Sequence, residues 1–438
     1  MKSCRKPWAV LLLGVFFVPA TGQSTEPAEP EQISYSREIW PVIQRNCQGC
    51  HQPALKKGTL DLTSYEAFEK GGMSGPVFVP REPGESLLLA HLTGDQQPRM
   101  PMEQDPLSGE EIELFRKWIE QGAENDTPAQ LSQRIPSGEP PTYRLPPVVT
   151  AIAYSSDGSL LAVSGYREVL LHSSDGAGLE ARLLGISDRI QTLRFLPDGK
   201  TLLAAGGTQA RFGEVQFWDV PSRKLKNSVT VCHDTLFGAS VSPDSSKVAF
   251  GCSDKTVRVL EASTGRELLK ISQHENWVLG TVFTLDGNRI VSVGRDRAAK
   301  LVDASTGAFV ENINRLRGEL TAIARHPGRS TVVIGGEDRI PFYYRTQRPR
   351  KRTIDDDTTL IREFEKQAGE ILGLAFSPDG RKIAVATASS SIPVYDVETG
   401  QRLYVCEGSK AGIYTVAFHP TGQQLAAGGF DGRVRIYA

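Results

Sequence analysis

The sequence predicts a multidomain chain in which a small all-α unit is followed by an all-β seven-bladed propeller. Two observations carry this. A single Cys-x-x-Cys-His run, Cys47 to His51, stands among segments with helical apolar spacing. Beyond Val148 a turn signature recurs seven times, at Asp157-Gly158, Asp198-Gly199, Asp244-Ser245, Asp286-Gly287, Pro327-Gly328, Asp379-Gly380 and Thr421-Gly422. The intervals are mostly 41 to 46 residues, with one of 52, a period that marks a repeated supersecondary unit.

Lys2, Arg5 and Lys6 precede an apolar run from Trp8 to Val18, and Ala20-Thr21-Gly22 follows with small residues. Residues 1–22 therefore read as a signal peptide, with an uncleaved anchor as the alternative, since the run is short for a membrane span. Cys4 lies before the apolar run, so it is not placed for lipidation at a cleavage site. The expectation is a periplasmic or otherwise exported protein with no membrane span after signal cleavage. Residues 23–32, rich in Glu and Pro, read as a disordered leader.

Residues 33–124 form the first predicted domain. Tyr35 to Ile43 begins with capping residues and carries apolar side chains at helical spacing, as a helix leading into the Cys-x-x-Cys-His loop would. That motif attaches a c-type haem: the thiols of Cys47 and Cys50 bond the two vinyl groups, and His51 supplies the proximal iron ligand. Zinc would need two more Cys or His at short spacing, and none lies near. A thioredoxin-like pair would need a strand-loop-helix setting that this Gly- and Pro-rich region lacks. No second motif occurs, so one haem c per chain is expected.

Met100, bracketed in Pro98-Arg99-Met100-Pro101-Met102, is the expected distal ligand, because alternation in an extended loop lets only one of Met100 and Met102 face the iron. Met102, His91, Met73 and an open position are the alternatives. Ser108 to Glu111 reads as a capping box ahead of Ile112, Phe115, Trp118 and Ile119, a helix that Gly122 stops. Residues 125–141, polar and proline-rich, read as a linker.

Residues 142–438 make the propeller. Each turn signature sits between two apolar strands, as in Ile371 to Pro378 and Lys382 to Ala386. A third strand often ends in an apolar-acidic pair such as Trp218-Asp219, Val302-Asp303 or Tyr395-Asp396. Asp254, Asp296, Asp338 and Asp431 fall in the turn between second and third strands. The last repeat stops after its third strand, and an unpaired edge is costly, so Thr142 to Leu145 is expected to supply the missing fourth. Cys232, Cys252 and Cys406 read as core fillers, with a disulfide between two of them open. His172, His233, His274, His326 and His419 are scattered one to a blade, and read as structural rather than as a second metal or haem site. Arg348 to Asp357, a charged insertion, reads as a solvated loop. With 50 Lys and Arg against 51 Asp and Glu, there is no basic footprint for nucleic acid.

Residues Ile33 to Glu124 resemble the planctomycete-type cytochrome c domain, on the Cys-x-x-Cys-His loop, the segment Leu60 to Tyr65, Gly71-Gly72 and Arg99-Met100-Pro101. The resemblance implies a class I-like cytochrome c fold, haem c, and a ligand role for Met100. The remainder resembles a WD-repeat propeller that keeps one true Trp-Asp pair, Trp218-Asp219. Most of the histidines expected before the first strands are missing, so the buried networks of the blades are expected to be incomplete. These likenesses imply an electron-transfer protein rather than an enzyme, with the propeller docking a redox partner protein. The alternatives are a haem-dependent oxidoreductase with its substrate in the propeller, and a haem sensor or scaffold.

Overall fold

A computed structural model of the chain describes residues 32–47, 50–52, 55–62, 64–102, 105–126, 140–232, 234–348 and 357–438. The contacts divide it into two compact units, the second beginning its main body at Gly138.

The first unit is a set of short helices around an aromatic core. A π-helical turn, Tyr35–Ile39, runs into α1, Trp40–Asn46. The expected cap is replaced: Ile39 stands at the helix N-terminus with no side-chain cap, and Ser34 instead donates its N–H to the Glu38 carboxylate at 2.8 Å. Pro41 is at home in the first turn, where no N–H is needed. Helix α2, Tyr65–Lys70, is capped by the Ser64 hydroxyl, and α3, Leu87–Thr93, ends at Gly94 with φ +92°. Helix α4, Gly109–Glu120, has the expected capping box, with Ser108 and Glu111 reciprocally bonded. Its buried Phe115, Trp118 and Ile119 recur at i, i+3 and i+4, and Trp118 stacks on Phe68 with ring centroids 6.0 Å apart. Among the described residues no helix is long and apolar enough to cross a membrane.

The second unit is a ring of seven antiparallel sheets, each a consecutive meander. The blades run from Ile152 to Leu184, Arg189 to Cys232, Leu236 to Ile271, Val278 to Asn312, Leu320 to Glu363, Ile371 to Cys406 and Ile413 to Tyr437. Among the described residues six have four strands and the seventh three. The turn signatures join first and second strands as read from the sequence. In the first blade Ser155 Oγ donates to Asp157, which accepts the Ser159 N–H at 3.0 Å, and Ser242-Asp244, Thr284-Asp286 and Ser377-Asp379 repeat the hydroxyl bond.

Two expectations need correction. Residues 142–145 add no strand to the seventh blade: the first blade forms four strands of its own, and Val434–Tyr437 is the seventh blade's last described strand. Pro141, Pro146 and Pro147 flank the segment and limit a ladder to four residues, and Tyr143 is held by the first blade, its hydroxyl bonded to Glu168. The ring closes through packing of Val149, Ile152 and Leu161 with Ala426, and through the Val149 N–H bond to Gly429 O at 3.0 Å.

The buried networks are partial, as the scarcity of histidines before the first strands implies. In the fourth blade His274 bonds Asp296 through Nδ1 at 2.9 Å and Ser292 Oγ through Nε2 at 2.7 Å. The second blade builds its own version, Trp218 Nε1 to Gln216 at 3.0 Å and Gln216 to Glu214 at 2.8 Å, with Ser187 also donating to Glu214. The second correction concerns the insertion in the fifth blade, whose ends are held rather than solvated. Arg348, with 7% of its side chain exposed, pairs with Glu311, and Asp357 accepts from Arg317 at 3.1 Å. Residues 349–356 lie outside the described residues.

Candidate functional site

Helix α1 delivers the cysteine loop. The Cys47 N–H bonds Ile43 O at 2.9 Å, and the N–H groups of Cys50 and His51 both bond Cys47 O at 3.2 Å, so one tight turn gathers the two thiols and the imidazole. His51 then pairs with Lys56 in a two-stranded ribbon, and its carbonyl accepts the Leu62 N–H at 2.9 Å. This anchors the turn at both ends. Gln48 and Gly49 lie outside the described residues.

The methionine loop is tied to α3. Met100 donates its N–H to His91 O at 2.9 Å, and His91 Nδ1 meets Pro98 O at 2.9 Å. Met100 is half-buried and packs against the same core cluster as Cys47, whereas Met73 is 78% exposed and Met102 43%. Of the four sequence candidates, Met100 is the thioether that shares a core with the cysteine loop. Helices α1 and α4 are joined by Arg45 and Glu111 at 3.3 Å. The Tyr65 hydroxyl donates to Ala123 O at 2.7 Å, and burial first, then Glu69, Glu124 and Glu66, raise its pKa above the usual phenol range.

One residue escaped the sequence reading. Gln44 is 1% exposed, and neither its amide nitrogen nor its amide oxygen has a hydrogen-bond partner among the described residues. A buried amide left unbonded costs on the order of 2 kcal/mol or more, so such a group in a native fold calls for a partner. It stands one helical turn before Cys47. The signal was available: Trp40, Ile43 and Gln44 share one helix face at i, i+3 and i+4, and a polar residue on an apolar stripe is conspicuous. The donor set therefore fits a covalently attached haem, with two thiols, an imidazole, a thioether on the same core and an unsatisfied amide beside the first thiol. A surface hollow of about 770 Å³ in this unit, lined by residues such as Glu38, Glu113 and Lys117, includes none of these groups and is unrelated to them.

In the propeller, the scattered histidines serve separate blades. His274 is in its network, His326 lies edge-on to Phe376 with centroids 5.1 Å apart, and His419 meets Gly158 O at 3.0 Å. His233 lies outside the described residues. Among the described residues no three His, Cys, Asp or Glu side chains converge as a metal site. Cys232 and Cys252 fill one core cluster, and no disulfide joins them.

Comparison with known proteins agrees with both halves. Residues 47–104 match the family described as planctomycete cytochrome C, the match starting at the first motif cysteine. Residues 184–438, more than half the chain, match the family described as nucleolar protein 10-like, N-terminal domain, a β-propeller. The chain belongs to this nucleolar protein 10-like propeller family. Relatives of this propeller chain include mouse (Mus musculus) echinoderm microtubule-associated protein-like 2, 24% identical over 66% of the chain and 43% of the relative. Another is the U5 small nuclear ribonucleoprotein 40 kDa protein of Dictyostelium discoideum, 22% identical over 61% of the chain and 87% of that protein. Chicken (Gallus gallus) WD repeat-containing protein 1 is 32% identical over 28% of the chain and 20% of its own length. The chain thus spans less than half the length of the mouse relative.

Proposed function

We propose that this propeller-family chain is an exported c-type cytochrome that carries electrons, with one haem c per chain and with the propeller presenting a docking face to a redox partner protein. The observation that carries the reading is the cysteine loop itself: the planctomycete cytochrome C match opens on Cys47, and Cys47, Cys50 and His51 share one backbone turn. The succession α1, cysteine loop, methionine loop, α4 is the order of a class I cytochrome c fold. When bound, the haem supplies one-electron ferric–ferrous chemistry.

The chain's own residues would do the rest. Cys47 and Cys50 would hold the group by thioether bonds, and His51 would ligate the iron from the proximal side. Met100 would offer a soft thioether from the other, favouring the ferrous state and raising the potential. The aromatic core of Tyr35, Phe68, Phe78 and Trp118 would exclude water from that neighbourhood. Gln44 would offer two donors and one acceptor from a dry position.

Docking through the propeller is supported by its architecture, since rings of this kind most often present binding surfaces. Two relatives carry names that tie them to assemblies, microtubules in one case and a small nuclear ribonucleoprotein in the other. For this chain a formal charge of −1 favours a protein partner over a nucleic acid. Export is supported by the N-terminal apolar run and by the need to attach haem to thiols outside the cytoplasm.

Pyridine haemochrome quantitation of protein purified from the exported fraction is expected to give about one haem per chain. The Cys47→Ser, Cys50→Ser double variant is expected to carry no covalent haem. Haem that acid–acetone extracts from the wild type would overturn the proposal. The ferric protein should show the weak far-red sulfur-to-iron charge-transfer band, absent in Met100→Ala and retained in Met102→Ala. A wild type without that band, whose ferrous form binds carbon monoxide readily, would remove Met100 as ligand.

A further inference from the structure

A cavity of about 810 Å³ occupies the propeller channel, bounded by the innermost strands. This is within the size range of sites that enclose small molecules. Arg189, Arg194 and Arg211 line it, and none of the three forms an ion pair among the described residues. The two carboxylates in the wall are already engaged. Asp188 pairs with Arg167 at 2.7 Å, and Asp234 accepts the N–H groups of Ala210 and Thr235 at 2.9 and 2.7 Å.

Arg194 is the informative member. Its side chain is exposed in the channel and makes one hydrogen bond, to Leu193 O at 3.1 Å. A guanidinium has five donors in a fixed fork matched to an oxyanion, and four of those of Arg194 have no protein acceptor among the described residues. A register shift between Ile190 and Thr192 resets the strand alternation by one residue, so Arg189 and Arg194 line the same cavity although they are five residues apart. At roughly 3.3 Å per residue their backbones stand roughly 15 Å apart.

The wall contributed by the next blades is aromatic and differently charged. Phe237 and Trp277 stack with centroids 6.0 Å apart, and Arg295 lies 4.3 Å over the Trp277 ring. Arg295 is answered by Glu319 at 3.7 Å, and the neighbouring Glu370 has its pKa raised by burial and then by Glu319 and Glu337. Negative ligand charge is thus drawn to the second blade and repelled from the fifth and sixth.

We infer that the propeller channel is a binding site for a small linear dicarboxylate, one carboxylate on Arg194 and the other on Arg189 and Arg211, with the carbon chain against Phe237 and Trp277. Arginine separation sets the two-ended charge, the fork geometry selects an oxyanion, and the aromatic wall accommodates methylenes. The site stands apart from the haem reading and needs no haem to be tested.

The test is calorimetric titration of the full chain with adipate, with adipamide, hexanoate and inorganic phosphate as comparisons. Adipate is expected to bind and to raise the melting temperature. Adipamide should not bind, and hexanoate and phosphate should bind at least about tenfold more weakly. Arg194→Met should weaken adipate at least about tenfold, and so should the Arg189→Gln, Arg211→Gln double variant. Without ligand, Arg194→Met should melt within about 2 °C of wild type, because Arg194 is exposed and makes one hydrogen bond and no ion pair among the described residues, so lost binding is not lost folding. Absence of adipate binding at millimolar concentration, undiminished binding in Arg194→Met, or phosphate binding as tightly as adipate would each overturn the assignment.

Discussion

Replacing Glu168 by alanine is expected to destabilise the propeller more than any other single change on its first blade. The Glu168 side chain is fully buried and accepts from Arg182 Nε at 2.6 Å and Nη2 at 2.7 Å, and from the Tyr143 hydroxyl. Without it, Arg182 keeps only Pro141 O at 2.9 Å. Breaking a buried pair from one side costs about 3–5 kcal/mol. Arg182 is 29% exposed, so water softens the loss and places it near the lower end, about 3 kcal/mol. Unfolding entropy of about 2.1 cal/mol/K per residue, taken over the roughly 300 residues from Gly138 to Ala438, is about 0.6 kcal/mol/K. The propeller transition in scanning calorimetry of the full chain should therefore fall by about 5 °C. Tyr143→Phe, which removes one donor, should cost about 1 kcal/mol, or about 2 °C. The double replacement Glu168→Leu, Arg182→Met should cost clearly less than Glu168→Ala, because no charge is left stranded. A Glu168→Ala protein melting within 1 °C of wild type, or a double variant worse than the single, would refute the reasoning.

Asp296 offers a pH test. Burial alone would raise its pKa, but the hydrogen bond and charge of His274, the Glu275 N–H and Lys300 bring it to about 2. Because the folded value lies below the unfolded one of about 3.9, its stabilisation is complete above pH ~4 and is lost as pH falls through about 2. Urea unfolding should show Asp296→Asn about 2 kcal/mol less stable at pH 7 and close to wild type near pH 2, and a gap that stays constant with pH would refute this. The Cys252 thiol is raised well above its ordinary range by Cys232 and then by burial, so mass mapping should find both thiols unlabelled by a disulfide reagent in native protein and labelled in guanidinium. Fast native labelling would contradict that placement. Ser108→Ala should cost about 1 kcal/mol and speed amide exchange in the first turn of α4, where unchanged exchange would show the capping box to be idle.

Much of this molecule was legible because its strongest signals are local. A turn such as Ser155-Ser156-Asp157-Gly158 is specified by side chains bonding their own backbone within five residues, and it survives in any tertiary setting. The α4 capping box and the apolar stripe of Phe115, Trp118 and Ile119 are local in the same sense. The cysteine loop was readable because attachment chemistry fixes residue type and spacing together. Gln44 went unnoticed because its significance is a missing partner, and partners are a property of the folded core.

The misread closure shows where such reasoning gives way. The edge argument asked which segment might pair with the seventh blade, and it weighed the cost of a bare edge without weighing the donors of the candidate. Pro141, Pro146 and Pro147 flank the four residues that keep their N–H groups and confine any ladder there to a very short run. Tyr143 then earns its place through a side-chain bond to Glu168, a contact that no periodicity announces because Glu168 lies within an otherwise ordinary strand. The channel arginines are hidden for a related reason. Arg189 and Arg194 read as opposite faces of one strand, and a bulge that only the paired strand reveals turns both into the cavity. Charge in the sequence is countable, but whether a charge is paired depends on which strands the ring brings together, so unpaired arginines become visible only in the folded protein.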